Sequence, residues 1–114
     1  MYHTELKAWK YAMELVKKIY ILTRNFPDDE RFGLVIQLRR AAVSVPSNIA
    51  EGSARHSDKE QIRFIDIALG SLAELETQLL ISKELNYTND VNDVLDLLKN
   101  VNALTMGLRG HLAK

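Results

Sequence analysis

The sequence predicts an all-α protein, an antiparallel four-helix bundle that runs up-down-up-down. Apolar residues recur at three- and four-residue spacing through most of the chain, which is the period of an amphipathic helix. No stretch shows the strict alternation that is typical of a half-buried strand. The breaks between helical segments are short, so consecutive helices are expected to be antiparallel neighbours.

The composition indicates one globular domain over residues 1–114. The chain is 46% hydrophobic and 26% charged, which excludes a disordered chain, and no linker offers a domain boundary. The absence of cysteine excludes disulfides, thiolate metal sites and a cysteine nucleophile. No apolar run reaches the length of a membrane span, and the first residues resemble an amphipathic helix rather than a signal peptide. We therefore expect a cytoplasmic protein with no membrane partner.

The first helix is predicted over residues 4–25, where two apolar stripes lie side by side. The residue before a proline disfavours helical geometry, so Phe26-Pro27 is expected to end it. One stripe contains Leu6, Trp9, Met13, Val16 and Tyr20. The other contains Ala8, Ala12, Leu15, Ile19, Leu22 and Phe26.

The second helix is predicted over residues 28–55, and its apolar arc is unusually wide. Acidic residues at 28–30 suit the positive end of a helix. The main stripe is Leu34, Leu38, Ala41, Val45 and Ile49, and further apolar residues lie off it: Phe32, Ile36, Val43 and Ala50. Two explanations are open. This helix is covered by the other three, or it also lies against another subunit.

Pro46 lies inside the second helix and predicts a kink there. It removes the hydrogen bond to the carbonyl of Ala42 and clashes with the preceding turn. Ser44, Ser47 and Asn48 surround it in sequence, and their side chains are able to bond freed backbone groups. One interpretation is that these side chains hydrogen-bond the backbone groups that Pro46 leaves free. The other is that they contact a partner.

The third and fourth helices are predicted over residues 57–86 and 89–110. Ser57 and Glu60 form a capping box at the start of the third helix. Thr88 or Asn89 is expected to cap the fourth helix. The fourth helix is expected to fray near its two glycines, at 107 and 110.

No set of residues has the spacing of a catalytic or metal site. The three histidines are scattered, and Glu74 and Glu76 point to different helix faces. We therefore predict no enzyme, no cofactor, no metal and no small-molecule substrate. Glu76 interrupts the apolar stripe of the third helix, and an ion pair with Arg39 or Arg40 is expected to compensate its burial.

The charges balance overall but are unevenly distributed. The net charge is zero, which argues against a dedicated high-affinity nucleic-acid binder. Between Asp66 and Asp96, however, only Lys83 opposes seven acidic residues. Such a dipolar subunit is able to join its own copies head to tail, or to present one basic surface.

The candidate contact residues are five cations around the junction of the second and third helices: Arg39, Arg40, Arg55, Lys59 and Arg63. Neighbouring acids dilute this basic corner, so a solvated, salt-bridged corner is one interpretation. The other is a surface for phosphate, which repetition in an oligomer would make multivalent.

Three motifs resemble the bacterial 23S rRNA-intervening-sequence proteins. They are QLRRAAVSVPSNIAEGSAR at 37–55, KE at 59–60 and ALGSLAELETQL at 68–79. The resemblance implies a four-helix bundle assembled as a homopentamer, with no established biochemical activity. It also implies similarity in fold to the accessory variability determinant of diversity-generating retroelements, a ring that binds a reverse transcriptase and nucleic acid. The matched positions expected at structural or interface roles are Pro46, Asn48, Glu51, Gly52, Gly70, Glu74 and Glu76.

Three functions follow from these patterns, in decreasing order of support. The first is a non-enzymatic homo-oligomer that acts as a scaffold for protein or nucleic-acid partners. The second is an RNA- or DNA-binding accessory protein, associated with ribosomal RNA or a reverse transcriptase, that uses the basic corner. The third is a bundle-type enzyme, which needs carboxylates and histidines converging in one pocket.

Overall fold

The computed structural model describes residues 2–114, and over that range the protein is a four-helix bundle with no strand. The helices are α1 (Lys7–Thr23), α2 (Leu34–Ser53), α3 (Asp58–Glu84) and α4 (Asn92–Leu112). Two short 3-10 turns precede α1 and α2, at His3–Glu5 and Asp28–Glu30. Each helix packs against the next one in the chain, and α1 also packs against α4. The predicted all-α class is confirmed.

The core is built from the inner face of all four helices. The largest fully buried side chains include Leu15, Ile19, Leu38, Ile49, Ile65, Leu72, Leu75, Leu79 and Val101. On α1 the stripe that contains Ala8 and Ala12 is the buried one. Met13 and Tyr20 of the other stripe remain exposed, at 41% and 37%. Leu6, Trp9 and Val16 of that stripe are partly buried against the core, so only part of the second stripe is available outside the bundle.

The second helix begins later than predicted, at Leu34. The acidic residues at 28–30 form the 3-10 turn instead, and Glu30 Oε1 accepts the Leu34 N–H at 3.2 Å. The other Glu30 oxygen accepts the Tyr87 hydroxyl at 2.8 Å. That hydrogen bond raises the pKa of Tyr87 above its ordinary value. Glu30 thus leaves the helix because its carboxylate joins the start of α2 to the α3–α4 connection.

The serine half of the capping box predicted for α3 is formed, whereas the Glu60 carboxylate pairs with Arg63 and the prediction for the start of α4 is wrong. Ser57 Oγ accepts the Glu60 N–H at 3.1 Å. Thr88 Oγ1 instead accepts the Asp90 N–H at 3.3 Å, and α4 starts only after the buried Val91. The side chain of Thr88 is used in a local turn, so the connection is longer than expected.

The end of α4 does not fray at its glycines, contrary to expectation. The helix continues to Leu112. Arg109 Nε donates to Asp66 Oδ1 of α3 at 2.6 Å, and this hydrogen bond raises the pKa of Arg109. Leu108 and Leu112 pack against the core. These contacts offset the low helix propensity of the two glycines.

Helix α2 continues through Pro46, whose ring is buried. Asn48 Nδ2 donates to the Ser44 carbonyl at 2.8 Å and to the Ser44 hydroxyl at 2.9 Å. The Ser44 hydroxyl lies 2.8 Å from that of Ser71 on α3. The predicted polar cluster therefore acts on the Ser44 carbonyl rather than on that of Ala42. It also joins α2 to α3.

Within residues 2–114, no helix combines the length and the hydropathy that crossing a membrane requires.

Candidate interaction surfaces

An open groove lies between the outer sides of α1 and α2. Tyr20, Ile36, Arg39, Arg40, Val43 and Ser44 line a space of about 560 Å³. A second depression on α1 shares Tyr20 and is lined by Val16, Lys17, Ile21 and Arg24. We call these two depressions together the basic groove, because their lining combines apolar side chains with four cations and no carboxylate.

Two arginines of α2 take different roles in the basic groove. The Arg39 guanidinium lies 4.5 Å from the centre of the Tyr20 ring, and its Nε donates to Thr23 Oγ1 at 3.0 Å. Thr23 is buried and donates in turn to the Ile19 carbonyl at 2.7 Å. Arg39 is thus held against α1 by a cation–π contact and a hydrogen bond. Arg40 is exposed and forms no ion pair within residues 2–114.

The other three predicted cations lie at the α2–α3 junction. The guanidinium groups of Arg55 and Arg63 lie 4.8 and 5.2 Å from the centre of the Phe64 ring. Arg55 pairs with Glu51 at 2.7 Å, and Arg63 pairs with Glu60 at 3.6 Å. Lys59 is exposed. The five predicted contact residues therefore occupy two places, separated by most of the length of α2.

The predicted ion pair of Glu76 with Arg39 or Arg40 is wrong. Glu76 is half-buried and lines a shallow depression with Lys99 and Asn102 of α4. No ion pair of Glu76 occurs in the described part of the chain. Ser71 marks the side of α3 that contacts α2. Glu76 lies on the opposite side of α3, so its carboxylate faces α4.

Glu74 lies on the outer side of α3 and is exposed. Its Oε1 accepts Gln78 Nε2 at 3.1 Å. Gln78 is buried at 6% exposure, and its Oε1 has no hydrogen-bond partner in residues 2–114. This oxygen is the one buried side-chain nitrogen or oxygen atom of that range without a hydrogen-bond partner, so its burial costs stability.

The two glycines singled out from the sequence occupy different environments. A Cβ on Gly52 would lie 3.2 Å from both the Gln61 carbonyl oxygen and Phe64 Cβ, so α2 and α3 cross closely there. A Cβ on Gly70 would meet nothing within 4 Å. Packing inside the subunit therefore leaves little room for a side chain at Gly52, whereas Gly70 lies on an open part of α3.

Residues 2–114 contain no group of three His, Cys, Asp or Glu residues able to hold a metal ion. A cavity of about 250 Å³ at one end of the bundle includes Ser53, Gln61 and His111 in its lining. The hydroxyl of Ser53 and the amide of Gln61 both donate to backbone carbonyls, at 3.1 Å each. Both side chains therefore hydrogen-bond the backbone at the end of α2.

The family model of the 23S rRNA-intervening sequence protein matches residues 4–109. The chain belongs to this family. The match includes α1, α2 and α3 in full, most of α4, and every motif on which the resemblance was based. Neither the family nor the structural relative described next has a known enzymatic function.

A solved structure of a relative has the same fold as this family member. It is a protein of unknown function from the S23 ribosomal protein family of Bacteroides thetaiotaomicron VPI-5482, determined at 1.70 Å resolution. The TM-score is 0.64 and the sequence identity is 20%, with 92% of this chain and 94% of the relative covered. A search of curated proteins found no match. The likeness at this identity establishes the fold alone.

The apolar part of the basic groove was only partly visible in the sequence. Ile36 and Val43 were recognised as lying outside the main stripe of α2. Tyr20 was assigned to a helix stripe, with no indication that it would remain exposed. The available signal was the pair of apolar stripes on α1, since one helix of a bundle buries little more than one stripe.

Proposed function

We propose that this protein is the subunit of a non-enzymatic homo-oligomeric scaffold. The observation that carries the proposal is the basic groove, where Tyr20 and Val43 are 37% and 41% exposed beside the half-buried Ile36. Contiguous exposed apolar surface of this kind marks a binding face. The groove is wide and open rather than enclosed, which suits a helix of a protein partner better than a small molecule.

The proposal includes the finer architecture expected from the sequence. The bundle runs up-down-up-down, bends at Pro46 and assembles as a homopentamer in the cytoplasm. Support for the assembly comes from the exposed Tyr20 of α1 and the wide apolar arc of α2, which meet in the basic groove. A protein or nucleic-acid partner, including a nucleic-acid-processing protein, then binds the assembled scaffold rather than the single subunit.

A second candidate is direct binding of RNA or DNA at the α2–α3 junction. The stacking of Arg55 and Arg63 on Phe64, beside the exposed Lys59, favours it. Glu51 and Glu60 pair with the two arginines and reduce the positive potential there. The scaffold is therefore the better supported function, and nucleic-acid binding is the alternative.

Light scattering at micromolar concentration tests the scaffold. We expect a single species whose mass is five times the 13.0 kDa of one subunit. A species of 13.0 kDa that persists at the highest concentration reached would contradict the proposal. Another multiple of the subunit mass would retain the scaffold and replace the pentamer.

A further inference from the structure

The outer side of α3 carries a second exposed apolar surface, which differs from the basic groove in charge. Ile67, Glu74 and Ile81 are seven residues apart, so they lie on one face of the helix. Ile67 and Ile81 are each 43% exposed, and Leu85 continues the face at 50%. We call this surface the acidic ridge and define it by Ile67, Gly70, Glu74, Ile81, Glu84 and Leu85.

The charges of the acidic ridge are not neutralised by ion pairs within residues 2–114. Its glutamates, Glu74 and Glu84, form no ion pair in that range. The ridge is low between Ile67 and Glu74, because Gly70 has no side chain there, and a Cβ at this position would meet nothing within 4 Å. A glycine in an exposed helix interior lowers helix stability, and no contact inside the subunit requires it. The ridge thus offers a helix face that another helix pair is able to approach closely.

The basic groove and the acidic ridge complement each other. The groove presents Tyr20, Ile36 and Val43 among four cations, and the ridge presents three apolar side chains beside the two carboxylates of Glu74 and Glu84. Both surfaces are part of every copy of the chain, and they lie on different helices. Arg40 and Glu74 are both exposed and form no ion pair within the described residues, so each is able to meet an opposite charge.

We infer that the basic groove of one copy binds the acidic ridge of the next copy. The inference rests on the proposed scaffold and specifies its contact. Each subunit uses its groove toward one neighbour and its ridge toward the other, which is a heterologous interface. Repetition of such a contact gives a closed ring when the rotation closes. Opposite charges at the rim set the register of the contact and make it sensitive to salt.

Two single substitutions remove one half of the contact each. Val43→Glu places a carboxylate in the groove of a subunit whose ridge is intact. Ile81→Arg places a cation on the ridge of a subunit whose groove is intact. Both positions are more than two-fifths exposed in the subunit, so the helical circular dichroism of each variant is expected to match that of the wild type. Met106→Glu, at an exposed position of α4 outside both surfaces, is the matched control.

Mixing the two variants distinguishes this contact from others. We expect each variant alone to have the mass of one subunit, and the equimolar mixture to form a dimer of one copy of each. The mixed dimer uses the intact groove of one variant and the intact ridge of the other. Its remaining groove and ridge are both altered, so no third copy is able to bind. The Met106→Glu control is expected to keep the wild-type mass.

Several outcomes would overturn the inference without touching the scaffold. A wild-type oligomer that survives both substitutions places the contact elsewhere. Loss of assembly with Val43→Glu but not with Ile81→Arg means that grooves meet grooves. Dissociation of the wild type by nuclease means that a nucleic-acid strand occupies the groove. A monomeric wild type, by contrast, overturns the scaffold itself.

Discussion

Replacing Leu38 by alanine is expected to lower the free energy of unfolding by about 2–5 kcal/mol. Leu38 is 0% exposed and lies on the inner face of α2, the helix that packs against both α1 and α3. Removal of its side chain takes away buried apolar surface and leaves a cavity that three packed helices cannot fill. Chemical denaturation at one fixed protein concentration measures the change, since association adds a concentration-dependent stability.

Met106→Ala is the control for Leu38→Ala. Met106 is 52% exposed on α4, and surface substitutions of this kind usually change stability by less than about 0.5 kcal/mol. Equal, small effects at both positions would mean that the inner face of α2 is assigned to the wrong residues.

Replacing Gly52 by alanine is expected to destabilise the fold, although alanine is the better helix former. A Cβ at this position would lie 3.2 Å from the Gln61 carbonyl oxygen and from Phe64 Cβ. The carbonyl belongs to the backbone of α3, so it cannot move without shifting that helix. Overpacking of this kind costs about 1–3 kcal/mol, which exceeds the gain of about 1 kcal/mol in helix propensity. The midpoint of thermal or chemical unfolding gives the sign.

Gly107→Ala separates the effect of helix propensity from the effect of overpacking. Gly107 lies inside α4, and a Cβ there would meet nothing within 4 Å. We therefore expect the alanine variant to gain about 0.5–1 kcal/mol from helix propensity alone. Stabilisation of similar size by Gly52→Ala would show that α2 and α3 do not approach as closely as 3.2 Å implies.

Periodicity was sufficient to predict the number of helices and most of the core. Leu38, Val45 and Ile49 were placed on the inner stripe of α2, and each is fully buried. The start of α3 was also predictable, because a serine cap and the amide it binds are three residues apart in sequence. Signals of this kind are local, so they do not depend on how the helices pack.

Two of the errors arose where a side chain contacts a residue far away in sequence. Glu30 was assigned to α2, but its carboxylate binds Tyr87, 57 residues away. The end of α4 was expected to fray, but Arg109 reaches Asp66, 43 residues away. A sequence pattern shows which residues have low helix propensity. It does not show which of them tertiary contacts will hold.

The candidate surfaces were predictable only in outline. The wide arc of α2 correctly indicated apolar residues outside the main stripe, and Val43 is exposed. The five cations were expected to form one corner, because they are close in sequence. Helix α2 separates Arg39 and Arg40 from the other three, and the rotation of the helix directs Arg39 toward Tyr20. The direction of a side chain depends both on the rotation of its helix and on how that helix packs against its neighbours.

Protection of position 43 in solution tests the central claim, that the basic groove is covered by another copy. The chain contains no cysteine, so Val43→Cys and Met106→Cys each provide one unique thiol. The two native side chains are 41% and 52% exposed in the subunit. We predict that a maleimide reacts much more slowly with the thiol at 43 than with the thiol at 106, and that dissociation by dilution abolishes the difference. Equal rates at both positions at micromolar concentration would contradict the claim.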